Sequence, residues 1–200
     1  MPFGYIGQNQ TKQKVKNTGV LSSFDISLLE NNGELGGSLE HIQTQTISSG
    51  STMAFTSIKE SLYDTHILQA TNCESSSANT SISVRLSNDG GSSYEAGTSY
   101  HIALQYRTTS GSFGQVRSTG TSYMQFLSDT ANANRGGYMY LFNLGDSTMY
   151  SNSSYVQMET PTMSYGGSTY VTADTINAIQ VLTTNTNAWT GTVSLYGYKR

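Results

Sequence analysis

Hydrophobic and polar residues alternate with a period of two along much of the chain. The alternation is clearest in residues 81–87 and 99–107. Successive side chains of a β-strand point to opposite faces of a sheet, so each segment is predicted to be a strand with one buried face. The residues expected to face inward are Ile82, Val84, Leu86, Ile102, Leu104 and Tyr106, and those expected to face outward are Ser83, Arg85, Ser87, His101, Ala103 and Gln105.

Other segments rich in Thr, Tyr, Val and Ile predict further strands. They span residues 38–47, 52–58, 62–70, 122–127, 138–144, 155–160, 162–171, 176–182 and 191–199. Gly, Asn and Ser separate them, and the run Asn88-Asp89-Gly90-Gly91 is a strong turn signal. About ten short strands and few prolines predict an all-β fold, an antiparallel β-sandwich that is jelly-roll-like, with a closed up-and-down sheet as the alternative.

Residues 1–35 differ from this pattern and are predicted to be an anchoring segment ahead of a β-sandwich domain at residues 36–200. One short helix is expected within the segment, because apolar residues recur there at helical spacing before an Asn-Asn-Gly stop. The residues with that spacing are Leu21, Phe24, Leu28 and Leu29.

Residues 1–19 have the composition of an extended N-terminal arm, with three lysines and no acidic residue. The segment is interpreted either as a solvated terminus or as a strap that docks on a neighbouring subunit. Its lysines and polar residues suit the first interpretation and its apolar residues suit the second, so both are given equal weight. The candidate partner-binding residues of the arm are Phe3, Tyr5, Ile6, Lys12, Lys14 and Lys16.

Charge and cysteine content exclude several classes of protein. Only 12% of the 200 residues are charged and the net charge is −3, so no broad basic face is available and nucleic acid is not expected as a partner. The single Cys73 makes neither an intramolecular disulfide nor, alone, a structural zinc site. We find no run of apolar residues that suits a signal peptide or a membrane span, so synthesis in a cytoplasm and no membrane partner are expected.

The standard catalytic motifs are absent, which predicts a non-enzymatic protein without cofactor or metal. Asp64 and His66 are two residues apart on one strand face, an arrangement more typical of a polar pair than of a base and its orienting group. Asp89 is the only charged residue of its glycine-rich turn, too few carboxylates for a convincing Ca²⁺ site. A hydrolase would need paired carboxylates from separate segments, which the sequence does not bring together.

Aromatic residues offer the other candidate site. The chain has 14 tyrosines, which suit the core of a sheet, an oligomer interface or a platform for sugars. The only tryptophan, Trp189, lies in a segment rich in Thr and Asn and is a candidate glycan contact.

Several segments together resemble virion structural proteins of tailed bacteriophages, especially those of marine and cyanobacterial hosts. The resemblance covers most of the chain and is carried by MPFGYIGQNQTKQKVKNTGV at the start, SVRLSNDGGSSY and SYHIALQYR, GGYMYLFNLGDSTMY, and TGTVSLYGYKR at the end. It carries over no catalytic residue.

The resemblance implies a protein of the virion exterior. The expected role is capsid decoration (cement) or a short appendage, with a tail-fibre, receptor-binding or carbohydrate-binding module as the alternative. The expected partners are other virion proteins of the capsid or tail and further copies of this chain, a trimer being the first expectation, with a host-surface glycan as a further candidate.

Overall fold

The computed structural model describes residues 39–77, 80–127, 135–159 and 162–198, and these form twelve β-strands with no helix among them. The strands are β1 (Leu39–Gly50), β2 (Thr52–Phe55), β3 (Thr65–Ser75), β4 (Ile82–Ser87), β5 (Tyr100–Thr108), β6 (Phe113–Thr121), β7 (Met124–Leu127), β8 (Arg135–Phe142), β9 (Ser151–Met158), β10 (Thr162–Tyr170), β11 (Ala178–Thr183) and β12 (Trp189–Tyr198). In these residues we find no helix long and apolar enough to cross a membrane. The predicted arm and short helix lie outside the described residues.

The strands form two antiparallel sheets, so the predicted all-β sandwich is confirmed. The larger sheet has the order β1-β12-β3-β8-β9-β10-β5-β6, and the smaller one has the order β2-β11-β4-β7. All the pairings between neighbouring strands are antiparallel.

Eight of the strands follow jelly-roll topology. The first strand, β1, pairs with the last, β12, in the larger sheet, and β2 pairs with β11 in the smaller one. Continuing inward along the chain, β3 joins β12 and β8, while β4 joins β11 and β7. This nesting of early strands against late ones is that of two Greek keys folded into a sandwich.

Two hairpins inserted into the jelly roll widen the larger sheet. Strands β5 and β6 lie between β4 and β7 in the chain, and β9 and β10 lie between β8 and β11. Both hairpins add to the β8 edge of the larger sheet, giving the side-by-side order β8-β9-β10-β5-β6. The edge strand β6 is exposed along most of its length, which shows that the larger sheet extends there beyond the smaller sheet that packs on it.

The core lies between the two sheets and is built from the predicted alternation. Ile82, Val84 and Leu86 of β4 are buried, as are Ile102 and Leu104 of β5. Further core residues are Phe55, Leu68, Phe126, Leu141, Ile179, Val193 and Leu195.

Two of the residues predicted to face outward on β4 are not exposed to solvent. Ser83 and Ser87 point away from the core, yet both are nearly inaccessible. For Ser87 the cause is the turn that follows β4. The Ser87 hydroxyl accepts hydrogen bonds from the backbone N–H groups of Asp89 and Gly91, and it donates one to Asp89 Oδ1 at 2.7 Å.

The strand predictions located every strand except β6. Its sequence, FGQVRSTGT, contains two glycines and no alternating run of large apolar residues. Such a strand is stabilised by its backbone pairing with β5 rather than by burial, so the hydrophobic pattern does not reveal it.

Candidate functional site

The outer face of the larger sheet, the face turned away from the smaller sheet, is the candidate site. Pairing registers align its side chains in rows that cross the strands. One such row runs from β6 to β1 through Arg117, Ala103, Gly167, Ser154, Tyr140, Ile67, Tyr196 and His41. The row joins a half of the face with small residues to a half with aromatic ones.

The aromatic half is centred on β8. Alternate residues of this strand, Tyr138, Tyr140 and Phe142, form a ladder on the outer face. The rings of Tyr138 and Tyr140 meet edge to face at 5.7 Å, and those of Tyr140 and Phe142 stack at 6.2 Å. Further along the face, the rings of Tyr196 and His41 lie 5.4 Å apart. Contacts between the rings hold the ladder in place while leaving Tyr138 and Tyr140 partly exposed.

The half with small residues contains an open groove on β9, β10, β5 and β6. Its floor is formed by Ala103 of β5 and Gly167 of β10, which are register partners. The groove has a volume of about 680 Å³, and it is lined by polar and small residues with Arg117 of β6 at one end. We call it the Ala103 groove. The polar side chains of its lining that point outward are those of His101, Arg117, Thr119, Asn152 and Thr169.

Cross-strand hydrogen bonds fix the side chains on both sides of the floor. On one side, the Thr169 hydroxyl donates to Asn152 Oδ1 at 2.8 Å. On the other side, the Tyr165 hydroxyl donates to Gln105 Oε1 at 2.8 Å. The groove is therefore bordered by side chains that already have a defined orientation, which lowers the entropy cost of binding.

The four strands that form the groove carry charge of one sign. Strands β5, β6, β9 and β10 contain Arg107 and Arg117 but no Asp or Glu. Both arginines are exposed on the outer face, and His101 is exposed beside the floor. In a protein of net charge −3, this half of the face is a local basic surface.

A second, more apolar depression of about 640 Å³ lies on the aromatic half. Gly136 and Gly137 of β8 leave space beside Tyr138, and Leu39 and Met158 complete the apolar lining. Eight of the exposed large hydrophobic residues point outward on this sheet: Leu39, Phe113, Tyr138, Tyr140, Met158, Met163, Tyr165 and Tyr198. Apolar exposure concentrated on one face is typical of an interaction surface.

The structure does not bring Asp64 and His66 together as a catalytic pair. The His66 side chain is fully buried, and its Nε2–H donates to the carbonyl of Ile58 at 2.8 Å. Burial lowers the pKa of His66 below its ordinary value of 6.5. Asp64 is exposed just before β3. His66 therefore belongs to the core, where it is held neutral.

The Asp89 carboxylate stabilises its own turn. It accepts hydrogen bonds from the hydroxyl and the backbone N–H of Ser93 and from the hydroxyl of Ser87. These bonds, those of Ser93 first, lower the pKa of Asp89 to about 2. Gly90 and Gly91 adopt positive φ angles of 75° and 89°, as the turn requires. Over the ranges that the structure describes, we find no group of three or more His, Cys, Asp or Glu placed to hold a metal.

The predicted glycan contact at Trp189 is wrong. Trp189 is the first residue of β12 and only 1% exposed, packed in the core. A polar sequence neighbourhood led to the prediction, but the strand turns this side chain inward. The candidate arm residues Phe3, Tyr5, Ile6, Lys12, Lys14 and Lys16 lie outside the described residues.

Sequence reasoning missed the Ala103 groove. The alternation in residues 99–107 did place His101, Ala103 and Gln105 on an outward face. Alternation within one strand could not predict which residues flank Ala103 on the adjacent strands. Gly167 and Arg117 come from segments distant in the chain, and β6 is not predicted from its sequence.

Comparisons with known proteins give few similarities. No family model matches the chain, and no curated protein matches it. Among solved structures, this chain is similar to a mutant of the alginate lyase Aly36B in complex with an alginate tetrasaccharide. The two share 10% sequence identity, the match covers 81% of this chain and 74% of the other, and the TM-score is 0.32. A second mutant of that lyase, with an alginate trisaccharide, gives 10% identity, coverage of 81% and 75%, and a TM-score of 0.27.

A structure of infectious bursal disease virus, Gt strain, gives 8% identity, coverage of 80% and 37%, and a TM-score of 0.12. TM-scores of this size do not establish a shared fold or a shared function.

Proposed function

We propose that the protein is a non-enzymatic structural protein on the exterior of a bacteriophage particle, acting as capsid decoration or as a short appendage. In this role it is made in the host cytoplasm, assembles with further copies of itself and attaches to other virion proteins. The sequence resemblance at both ends of the chain motivates the virion assignment, and the antiparallel jelly-roll sandwich is compatible with it.

The observation that carries the proposal is the exposed apolar character of the outer face. Met158 and Met163 are register partners on β9 and β10, and they are 62% and 44% exposed. Tyr138 and Tyr165 lie near them on the same face and are also exposed. Burial of such a surface against another protein is favourable by about 25 cal/mol per Å² of apolar area, which is the driving force for assembly.

The composition of the strands that form the groove supports the non-enzymatic part of the proposal. Strands β5, β6, β9 and β10, which form the Ala103 groove, provide no carboxylate. A glycosidase needs two carboxyl groups flanking the bond to be cleaved. The groove is suited to holding a ligand without hydrolysing it through such a pair.

Particle composition tests the virion role. Quantitative mass spectrometry of purified particles is expected to find hundreds of copies for a decoration protein, or tens or fewer for an appendage. Absence of the protein from the particles would contradict the proposal outright.

The apolar face is tested with the double variant Met158→Ser/Met163→Ser. We expect its copy number per particle to fall by about ten-fold or more, because two apolar contacts are lost. The matched control is Met149→Ser, since Met149 is 52% exposed in the loop between β8 and β9. Equal incorporation of the double variant and the control would show that this face does not attach the protein.

A receptor-binding or carbohydrate-binding module is the second candidate function. The observation that favours it is the Ala103 groove, a polar depression next to an aromatic ladder. The two functions are compatible on one particle, since a decoration or appendage protein can also present a binding site to the host.

A further inference from the structure

We infer that the Ala103 groove and the adjoining ring of Tyr140 form a binding site for a linear acidic polysaccharide, with a uronate carboxylate held by Arg117 in the groove and a sugar ring stacked on Tyr140 beyond it. This site rests on the second candidate function, carbohydrate binding, and is independent of where the protein lies on a particle. It specifies the ligand class, the residues and the direction in which the sugar chain runs.

The shape of the site fits an extended sugar chain. Adjacent strands of a sheet lie about 4.8 Å apart, so the four steps from β6 to β8 span about 19 Å, the length of about four pyranose units. Along that line the outward residues are Arg117, Ala103, Gly167, Ser154 and Tyr140. The three middle residues are small, so a ligand can lie directly on the sheet.

Polar groups line this path on the side of Thr169. The hydroxyl of Thr169 and the amide of Asn152 are fixed by their mutual hydrogen bond of 2.8 Å, and His101 stands next to them. Hydroxyls, amides and imidazoles both donate and accept hydrogen bonds, as the hydroxyl groups of a sugar require. Orientation of the ligand therefore comes from groups that are already positioned.

The charge favours an acidic sugar over a neutral one. Arg117 lines the groove, and β5, β6, β9 and β10 bring no Asp or Glu to oppose it. A guanidinium binds a carboxylate through two parallel hydrogen bonds, which gives both affinity and direction. Phosphodiester chains are a poorer match, since this small groove carries one arginine rather than a basic stripe.

Tyr140 provides the stacking surface at the other end. Its ring is held between Tyr138, edge to face, and Phe142, stacked at an interplanar angle of 9°, and it is 37% exposed. A rigid, partly exposed ring of this kind binds the apolar face of a sugar with little loss of side-chain entropy.

The test uses the purified full-length chain and acidic hexasaccharides of galacturonate, mannuronate and glucuronate. Isothermal titration calorimetry compares each of them with its methyl-esterified form, which keeps the sugar backbone and removes the charge. We expect at least one acidic hexasaccharide to bind, and its esterified form to bind about ten-fold more weakly or not at all.

Four variants distinguish binding in the Ala103 groove from non-specific electrostatic attraction. Arg117→Gln is expected to weaken binding by about ten-fold. Ala103→Leu fills the exposed floor and is expected to abolish binding, with Ala103→Gln as a second, more polar blocker. The matched control Arg107→Gln removes the same charge from β5 outside the groove lining, and it should change affinity by less than about two-fold.

Failure of every acidic hexasaccharide to bind, equal effects of Arg117→Gln and Arg107→Gln, or full binding by folded Ala103→Leu would overturn the site. Ultraviolet absorbance from an unsaturated uronate product would overturn the non-enzymatic function instead. If Arg117→Gln and Ala103→Leu then lowered that absorbance, the groove would still be assigned as the sugar site.

Discussion

A buried ion pair ties β8 to the segment after β9 and offers the most direct test of the folded structure. Arg135 opens β8, and Glu159 follows the last residue of β9. The Nε atom of Arg135 lies 3.3 Å from Oε2 of Glu159, and both side chains are 0% exposed. An Nη atom of Arg135 also donates to the carbonyl of Thr80 at 2.8 Å. The perturbation is Glu159→Gln, which keeps the size of the side chain and removes its charge.

The expected loss of stability in Glu159→Gln follows from the distance between the two charges and from their burial. Two unit charges 3.3 Å apart attract by about 5 kcal/mol at an effective dielectric constant of about 20. Removal of one partner of a buried pair leaves the other charge uncompensated, which costs about 3–5 kcal/mol. For a domain of this size, that loss lowers the melting temperature by about 6–20 °C.

Equilibrium urea unfolding, followed by the fluorescence of the buried Trp189, measures the change. The double variant Arg135→Met/Glu159→Leu removes both charges and should recover most of the stability lost in Glu159→Gln, since an apolar pair needs no compensation. A loss of less than about 1 kcal/mol for Glu159→Gln, the range of an exposed pair, would refute the interpretation of a buried ion pair.

Two further predictions concern the core beside β3 and β12. Burial lowers the pKa of His66, so the unfolded chain takes up a proton that the folded chain resists, and stability should fall as the pH decreases below about 6.5. Urea midpoints measured at several pH values should show this slope in the wild type and a shallower slope in His66→Gln. Identical slopes in the two proteins would contradict the prediction. Gly197→Ala places a methyl group against the ring of Tyr63 and should destabilise the fold by about 1–3 kcal/mol in a thermal melt. The double variant Gly197→Ala/Tyr63→Leu should lose less stability than the sum of the losses in the two single variants. Simple additivity would show that the two side chains do not touch.

The fold class could be predicted because it depends on local patterns. The alternation of Ile82, Val84 and Leu86 with polar residues requires a strand with a buried face, and the Gly- and Asn-rich turns divide the chain into short strands. Together these features favour an antiparallel sandwich, with a closed up-and-down sheet as the alternative that they leave open. The same reasoning failed at β6, where pairing with β5 rather than burial forms the strand.

The candidate site could be predicted only in part. Ala103 and His101 were placed on an outward face because alternation within one strand determines that. Their neighbours could not be predicted, since Gly167 reaches Ala103 only through the β5–β10 register, and Arg117 only through β6. Trp189 shows the opposite error, because a polar neighbourhood in sequence did not mean an exposed position.

Residue type and spacing along the chain are enough to specify the β-rich character, the inward residues of the clearest strands and the lack of standard catalytic motifs. Which strands are neighbours follows only from the folded structure, and with it the aromatic ladder beside the Ala103 groove, the burial of Trp189 and the Arg135–Glu159 pair. The physical reason is that side chains on one strand are set by a period of two, whereas contacts between strands depend on registers that join residues far apart in the chain.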